Sequence, residues 1–190
     1  MTGGFFVSFM SGNSTRLGIG LAGGGSSAGV AAGLILAFVL GVVIGASVGR
    51  IAGARKEPAI LGLVTGLLML AVVLHWLGLG VPAVIPLALA MGAQNTVFAE
   101  NGEVRVGLTY MTGTLVKLGK RLTASLWGGD PFGWLPYLLL WAGLLCGAVM
   151  GALAFARFGP NALIAAIAAM LILTLISATA KKAREARPMP

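Results

Sequence analysis

Five long apolar stretches dominate the pattern of hydrophobic and polar positions, and short polar segments separate them. Because a helix needs about 20 mainly apolar residues to cross a bilayer, each stretch predicts one membrane-spanning α-helix. In chain order the stretches are Val30–Arg50, Ala59–Gly78, Val81–Phe98, Leu135–Ala156 and Asn161–Ala180. The pattern therefore predicts an all-α, polytopic membrane protein with about five full transmembrane helices.

Two further segments, Phe5–Leu21 and Val106–Leu122, are only partly apolar and are rich in Ser, Thr and Gly. We call them the first and second motif segments. They match each other at a constant offset, which pairs Arg16 with Lys117, so the chain contains an internal repeat. The predicted organisation is one membrane domain, made of a first repeat (1–80), a second repeat (81–180) and a basic tail (181–190).

The distribution of Lys and Arg predicts the topology, because basic loops stay in the cytoplasm. If both motif segments dip into the membrane and leave on the side that they entered, only Arg16 and Arg157 are clearly external cations. If the second motif segment crossed fully, the basic tail would lie outside, against this rule. The re-entrant or broken-helix interpretation is favoured. It gives the repeat an inverted topology, as in many secondary transporters, and a cytoplasmic C-terminus in a bacterial inner membrane.

Composition supports the membrane assignment and removes other classes. The chain is 58% hydrophobic and 9% charged, whereas soluble domains are about 25% charged. The net charge of +8 lies mainly between apolar stretches, so it indicates membrane orientation and no nucleic-acid partner. The lone Cys146 and the lone His75 have no neighbours that would form a disulfide or a metal site, and we expect no metal and no cofactor.

Three ordered motifs carry a resemblance to a known family. They read FVSFMSGNSTRL at residues 6–17, MGAQNT at residues 91–96 and TYMTGTLVKLG at residues 109–119. Together they resemble the YoaK-like family of bacterial integral membrane proteins, a family of unknown function. The resemblance implies a six-helix membrane protein without an assigned activity. Members of that family usually carry a further apolar helix before the first motif, so we expect that the first repeat lacks its N-terminal helix here.

The polar residues of the motifs are the candidate substrate-binding or pore residues. Their hydroxyls, amides and cations would lie at membrane depth, where an ionisable group is by default a functional candidate. The alternatives remain open: Ser and Thr bond to their own helix or to a neighbour, and long cations extend to the headgroups. The candidates are Ser11, Gly12, Asn13, Ser14, Thr15, Arg16, Gln94, Asn95, Thr112, Gly113, Thr114 and Lys117.

These features favour a small permease or channel for a polar solute, with an anionic one suggested by Arg16 and Lys117. The alternative is a non-transporting membrane scaffold or assembly partner. Glycines spaced four apart, as at Gly41 and Gly45 and again at Gly143 and Gly147, would then join copies of the chain into a homo-oligomer. An enzyme is disfavoured because no catalytic residues are recognisable. The predicted partners are thus the lipid bilayer, a small polar or anionic solute, and a second copy.

Overall fold

The computed structural model of the chain describes residues 5–25, 27–80, 83–97, 99–100, 103–104 and 111–185. The α-helices in this part of the chain are α1 (Met10–Gly23), α2 (Ser27–Ala52), α3 (Lys56–Trp76), α4 (Val84–Gln94), α5 (Met111–Leu126), α6 (Leu135–Phe158) and α7 (Leu163–Glu185). Short 3-10 helices, Gly53–Arg55 and Gly159–Ala162, join α2 to α3 and α6 to α7. Strands β1 (Ala99–Glu100) and β2 (Glu103–Val104) pair in an antiparallel manner, a small exception to the all-α prediction.

Four of the five predicted apolar helices are present as α2, α3, α6 and α7. The first two form one helical stretch, Ser27–Trp76, and the last two form another, Leu135–Ala180. Both stretches are long and apolar enough to cross a membrane by length and composition. This is consistent with a membrane protein.

The third predicted helix is shorter than expected. We expected Val81–Phe98, but α4 has 11 residues and is roughly 16 Å long, about half of a bilayer core. Beyond Gln94 the chain turns, with Asn95 N–H donating to Gly92 O at 3.2 Å and Thr96 N–H donating to Ala93 O at 3.0 Å. The side chains of Asn95 and Thr96 also bond to backbone carbonyls. Such bonds compete with helical hydrogen bonding and favour a helix end.

The chain forms two compact units: residues 1–105 with 163–190, and residues 106–162. In the first unit, α4 packs against α2 and α3 although the sequence assigns it to the second repeat. Its core contains Ile60, Val64 and Leu68 of α3 with Ala90 and Ala93 of α4. Ile167 and Met170 of α7 complete this cluster.

The second unit consists of α5, α6 and the turns at either end of α6. The two helices pack against each other, and neither contains a buried residue. Large apolar side chains such as Leu153, which is 66% exposed, therefore leave the surface of α6 strongly hydrophobic. An exposed apolar surface of this size is typical of a surface that is covered by a membrane or by an apolar partner.

Candidate functional site

Glycines allow α2 and α4 to touch backbone to backbone. A Cβ built on Gly41 would collide with the backbone carbonyl of Leu89, and one built on Gly92 would collide with the carbonyl of Phe38. At Gly45 the nearest atoms to such a Cβ are Thr96 Oγ1 at 2.7 Å and Ala93 Cα at 2.8 Å. Because Gly41 faces Leu89 and Gly45 faces Ala93, the two helices run parallel.

This contact places the polar end of α4 inside the first unit. Asn95 is 5% exposed and Thr96 is 8% exposed, while Gln94 is half-buried. Asn95 Nδ2 donates to Met91 O at 2.8 Å, and Thr96 Oγ1 donates to Ala93 O at 2.7 Å. We call Gln94, Asn95 and Thr96 the α4 polar end. The amides of Gln94 and Asn95 and the hydroxyl of Thr96 carry both donors and acceptors, so the α4 polar end is a cluster of polar groups at the end of an apolar helix.

Thr65 on α3 is a buried polar residue that the sequence analysis did not single out. It is 3% exposed, and its Oγ1 donates to Leu61 O at 2.8 Å. A lone Thr in an apolar helix carries little signal in a sequence, because a hydroxyl bonded to its own helix is common. Thr96 lies within the MGAQNT motif, but only its burial against Gly45 in the structure marks it as a candidate site residue.

Asn13 is the best-defined residue of the first motif segment. It is fully buried at 0% exposure. Its Nδ2 donates to Phe6 O at 2.6 Å, and its Oδ1 accepts from Phe6 N–H at 3.1 Å. The side-chain amide thus pairs with the backbone of Phe6 and holds the segment before α1 against the helix. The structure assigns this amide a local structural contact.

Three phenylalanine rings, those of Phe5, Phe6 and Phe9, lie at the start of the first motif segment. Phe6 and Phe9 meet edge to face with ring centroids 5.4 Å apart. A Cβ on Gly12 would lie 2.5 Å from the Phe9 ring, so the glycine makes room for this pair. The Arg16 guanidinium lies 5.3 Å from the centroid of Phe5, within the range of a cation–π contact.

Three of the hydroxyl side chains in the first motif segment face outward. Ser11, Ser14 and Thr15 are exposed. Ser14 Oγ donates to Met10 O at 2.9 Å, and Thr15 Oγ1 donates to Ser11 O at 3.2 Å. These bonds to the preceding turn of the same helix match the structural alternative for Ser and Thr in apolar helices.

The second motif segment contributes α5, whereas its residues 106–110 lie outside the described part. Thr112, Gly113 and Lys117 are exposed, and Thr114 is half-buried. Among the described residues, none lies within 4 Å of a Cβ built on Gly113. Tyr110, the repeat equivalent of the Phe9 that crowds Gly12, lies outside the described part. The two motif segments lie in different units. Within the first unit, the structure brings Asn13 to Phe6 and Arg16 to Phe5. It also places Gln94 and Asn95 together at the end of α4.

The two glycine stripes have different surroundings. Helix α4 covers Gly41 and Gly45. A Cβ built on Gly49 would lie 3.0 Å from Ile60 Cδ1. In the second stripe, none of the glycines at 143, 147 and 151 has a neighbour within 4 Å of its built Cβ among the described residues. Of the two stripes, the one on α6 is not covered by the described residues of its own unit, so it fits the predicted contact between copies of the chain.

Comparison with known proteins gives a family and no activity. A UPF0700 transmembrane protein of Rhizobium meliloti (strain 1021) is 40% identical over 176 residues, which cover 92% of this chain and 76% of that protein. No solved structure matches the chain. The family model described as "Protein of unknown function (DUF1275)" matches residues 1–176. The chain therefore belongs to the DUF1275 family, which includes the YoaK-like proteins that its three motifs resemble.

Proposed function

We propose that the chain is an integral membrane protein that acts as a small permease or channel for a polar solute. The observation that carries the proposal is the α4 polar end: a helix too short to cross a bilayer ends in buried Asn95 and Thr96 among apolar helices. Transporters build their midplane sites from such discontinuous helices. Irregular backbone at membrane depth is tolerated where protein buries it or where it lines a watery cavity.

The surroundings of α4 favour an anionic solute. Phe5, which lies beneath the Arg16 guanidinium, packs against the cluster formed by Leu34, Ala37 and Ala88 on α2 and α4. Arg16 therefore lies on the side of the first unit that holds the N-terminal half of α4, where its positive charge would attract an anionic solute. The buried residues of the first unit include no carboxylate among those described.

A scaffold role is the second candidate, and the open glycine stripe on α6 is the observation that favours it. In that role the α4 polar end would be dry and would serve packing alone. The buried side-chain N and O atoms of the described residues all have hydrogen-bond partners, which a dry interior requires. Catalysis is not proposed, because among the described side chains no acid or base accompanies the α4 polar end.

Thiol accessibility separates a solute path from a dry contact. In a Cys146→Ser background, Thr96→Cys is expected to react with a small, charged methanethiosulfonate in membranes. Ala90→Cys on the same helix, where Ala90 is 0% exposed in the apolar core, should react at least tenfold more slowly. If the two positions are equally inert in a monodisperse protein, the α4 polar end is dry and the scaffold role replaces transport.

The proposed orientation has its own test. In the proposed orientation the tail is cytoplasmic and Arg157 is external. Lys181→Cys should therefore label only from the inner side of the bacterial inner membrane, and Arg157→Cys only from the outer side. An impermeant maleimide applied to inverted and right-side-out vesicles of Cys146→Ser variants measures both. Labelling of both positions from one side would contradict the proposed orientation.

A further inference from the structure

Helix α5 carries two opposite faces. Met111, Leu115, Leu118, Leu122 and Leu126 follow one another at helical spacing, which places them on one narrow side of the helix. The three basic residues of α5 are grouped on the opposite side, and the helix contains no acidic residue. They are Lys117, Lys120 and Arg121.

Packing against α6 leaves most of both faces open. The half-buried residues Met111, Thr114, Leu118 and Ser125 lie along one edge of the apolar side, so this edge faces α6. The rest of the apolar side is exposed: Leu115 at 43%, Leu122 at 40% and Leu126 at 85%. The three cations are exposed as well.

The turn after α5 presents aromatic side chains next to these leucines. Trp127 is 87% exposed and Phe132 is 68% exposed. Three hydrogen bonds brace the turn: Ser125 Oγ to Pro131 O at 3.2 Å, Phe132 N–H to Asp130 Oδ1 at 3.0 Å, and Trp134 Nε1 to Pro131 O at 2.8 Å. Exposed aromatics on a braced turn at the start of a long apolar helix suit the interface between lipid and water.

We propose that α5 lies in the plane of the membrane surface and binds the headgroups of anionic phospholipids. A helix with leucines on one side and cations on the other inserts its apolar side at the boundary of headgroups and acyl chains. Three cations without a carboxylate complement the negative charge of phosphatidylglycerol. Each cation near an anionic surface contributes about a fivefold preference.

This inference rests on the membrane location but not on solute transport. It assigns Lys117 to lipid binding, whereas the sequence analysis placed this residue in a solute path. It also preserves the predicted orientation, because a helix in the membrane plane leaves the chain on the side from which it arrived. The alternative partners of the leucines are the first unit or a second copy of the chain.

Lipid-selective quenching tests the proposal on the full chain. A fluorophore on Leu122→Cys, in the Cys146→Ser background, is reconstituted in phosphatidylcholine vesicles with a minor fraction of spin-labelled lipid. Spin-labelled phosphatidylglycerol should quench it several-fold more than spin-labelled phosphatidylcholine. The triple change Lys117→Gln, Lys120→Gln, Arg121→Gln should remove this preference, so that both lipids quench equally.

Two controls make the result specific. The charge-conserving change Lys117→Arg, Lys120→Arg, Arg121→Lys should retain the preference. A fluorophore on Leu153→Cys, at an exposed position of α6, should be quenched equally by both lipids. Leu115→Cys serves as a second α5 probe if the first variant does not fold.

Two outcomes would overturn the proposal. Equal quenching by the two lipids at both α5 positions would show that the cations do not select anionic headgroups. Quenching at Leu153→Cys but by neither lipid at the α5 positions would show that protein covers the leucines, either the first unit or a second copy.

Discussion

Replacing Gly41 by alanine is expected to destabilise the protein by about 2–3 kcal/mol, the usual cost of overpacking a well-packed core. The added Cβ would meet the backbone carbonyl of Leu89, which cannot rotate away as a side chain can. Helix α4 would have to move off α2, and contacts along the whole parallel pair would loosen. The gain in helix propensity from Gly to Ala, about 1 kcal/mol, is too small to compensate.

Thermal unfolding of the purified protein in detergent measures this effect. A loss of 2–3 kcal/mol corresponds to a fall in Tm on the order of 5–10 °C. The matched control is Gly143→Ala, because Gly143 occupies the equivalent place in the α6 stripe but has no described neighbour within 4 Å of its built Cβ. The control should leave Tm unchanged or raise it slightly. Equal losses in both variants would show that α6 is covered as tightly as α2.

The sequence predicts helices α2, α3, α6 and α7 because their signal is local. A long apolar run must satisfy its backbone hydrogen bonds internally, and a helix does so without a partner. The position where α4 ends depends on competition between backbone hydrogen bonds and side-chain hydrogen bonds to the backbone. The Asn95 and Thr96 side chains bond to the carbonyls of Met91 and Ala93. Thr96 also lies against Gly45 of α2, a tertiary contact that a local sequence pattern does not reveal.

The candidate site was predicted by residue type, but its contacts come from tertiary structure. Gln94 and Asn95 were identified, and the structure places them at a buried helix end. Asn13 was also identified, but its partner is the backbone of Phe6, which no side-chain pattern reveals. The opposite faces of α5 are visible in the sequence spacing. The likeness of the two motif segments favours one role for both, but the structure places them in different units.

Replacing Asn13 by alanine is expected to release residues 5–9 from α1. The change removes both partners of the Phe6 backbone, the acceptor of its N–H at 3.1 Å and the donor to its C=O at 2.6 Å. An unpaired polar group that stays partly buried costs about 1–3 kcal/mol. Exchange of the Phe6 amide with deuterium should therefore accelerate about 5- to 150-fold in the native protein, since 1.4 kcal/mol is about tenfold.

Two further variants separate this contact from a general weakness of α1. Ser14→Ala removes an exposed hydroxyl bonded to Met10 O and should leave Phe6 exchange unchanged. Asn13→Asp keeps the acceptor for the Phe6 N–H but turns an oxygen toward the Phe6 carbonyl, at a residue with no exposed surface. It should accelerate exchange at least as much as Asn13→Ala, because repulsion between the two oxygens replaces a hydrogen bond. If both Asn13 variants left Phe6 exchange unchanged, this amide would not hold the segment, and Asn13 would be available to contact a solute instead.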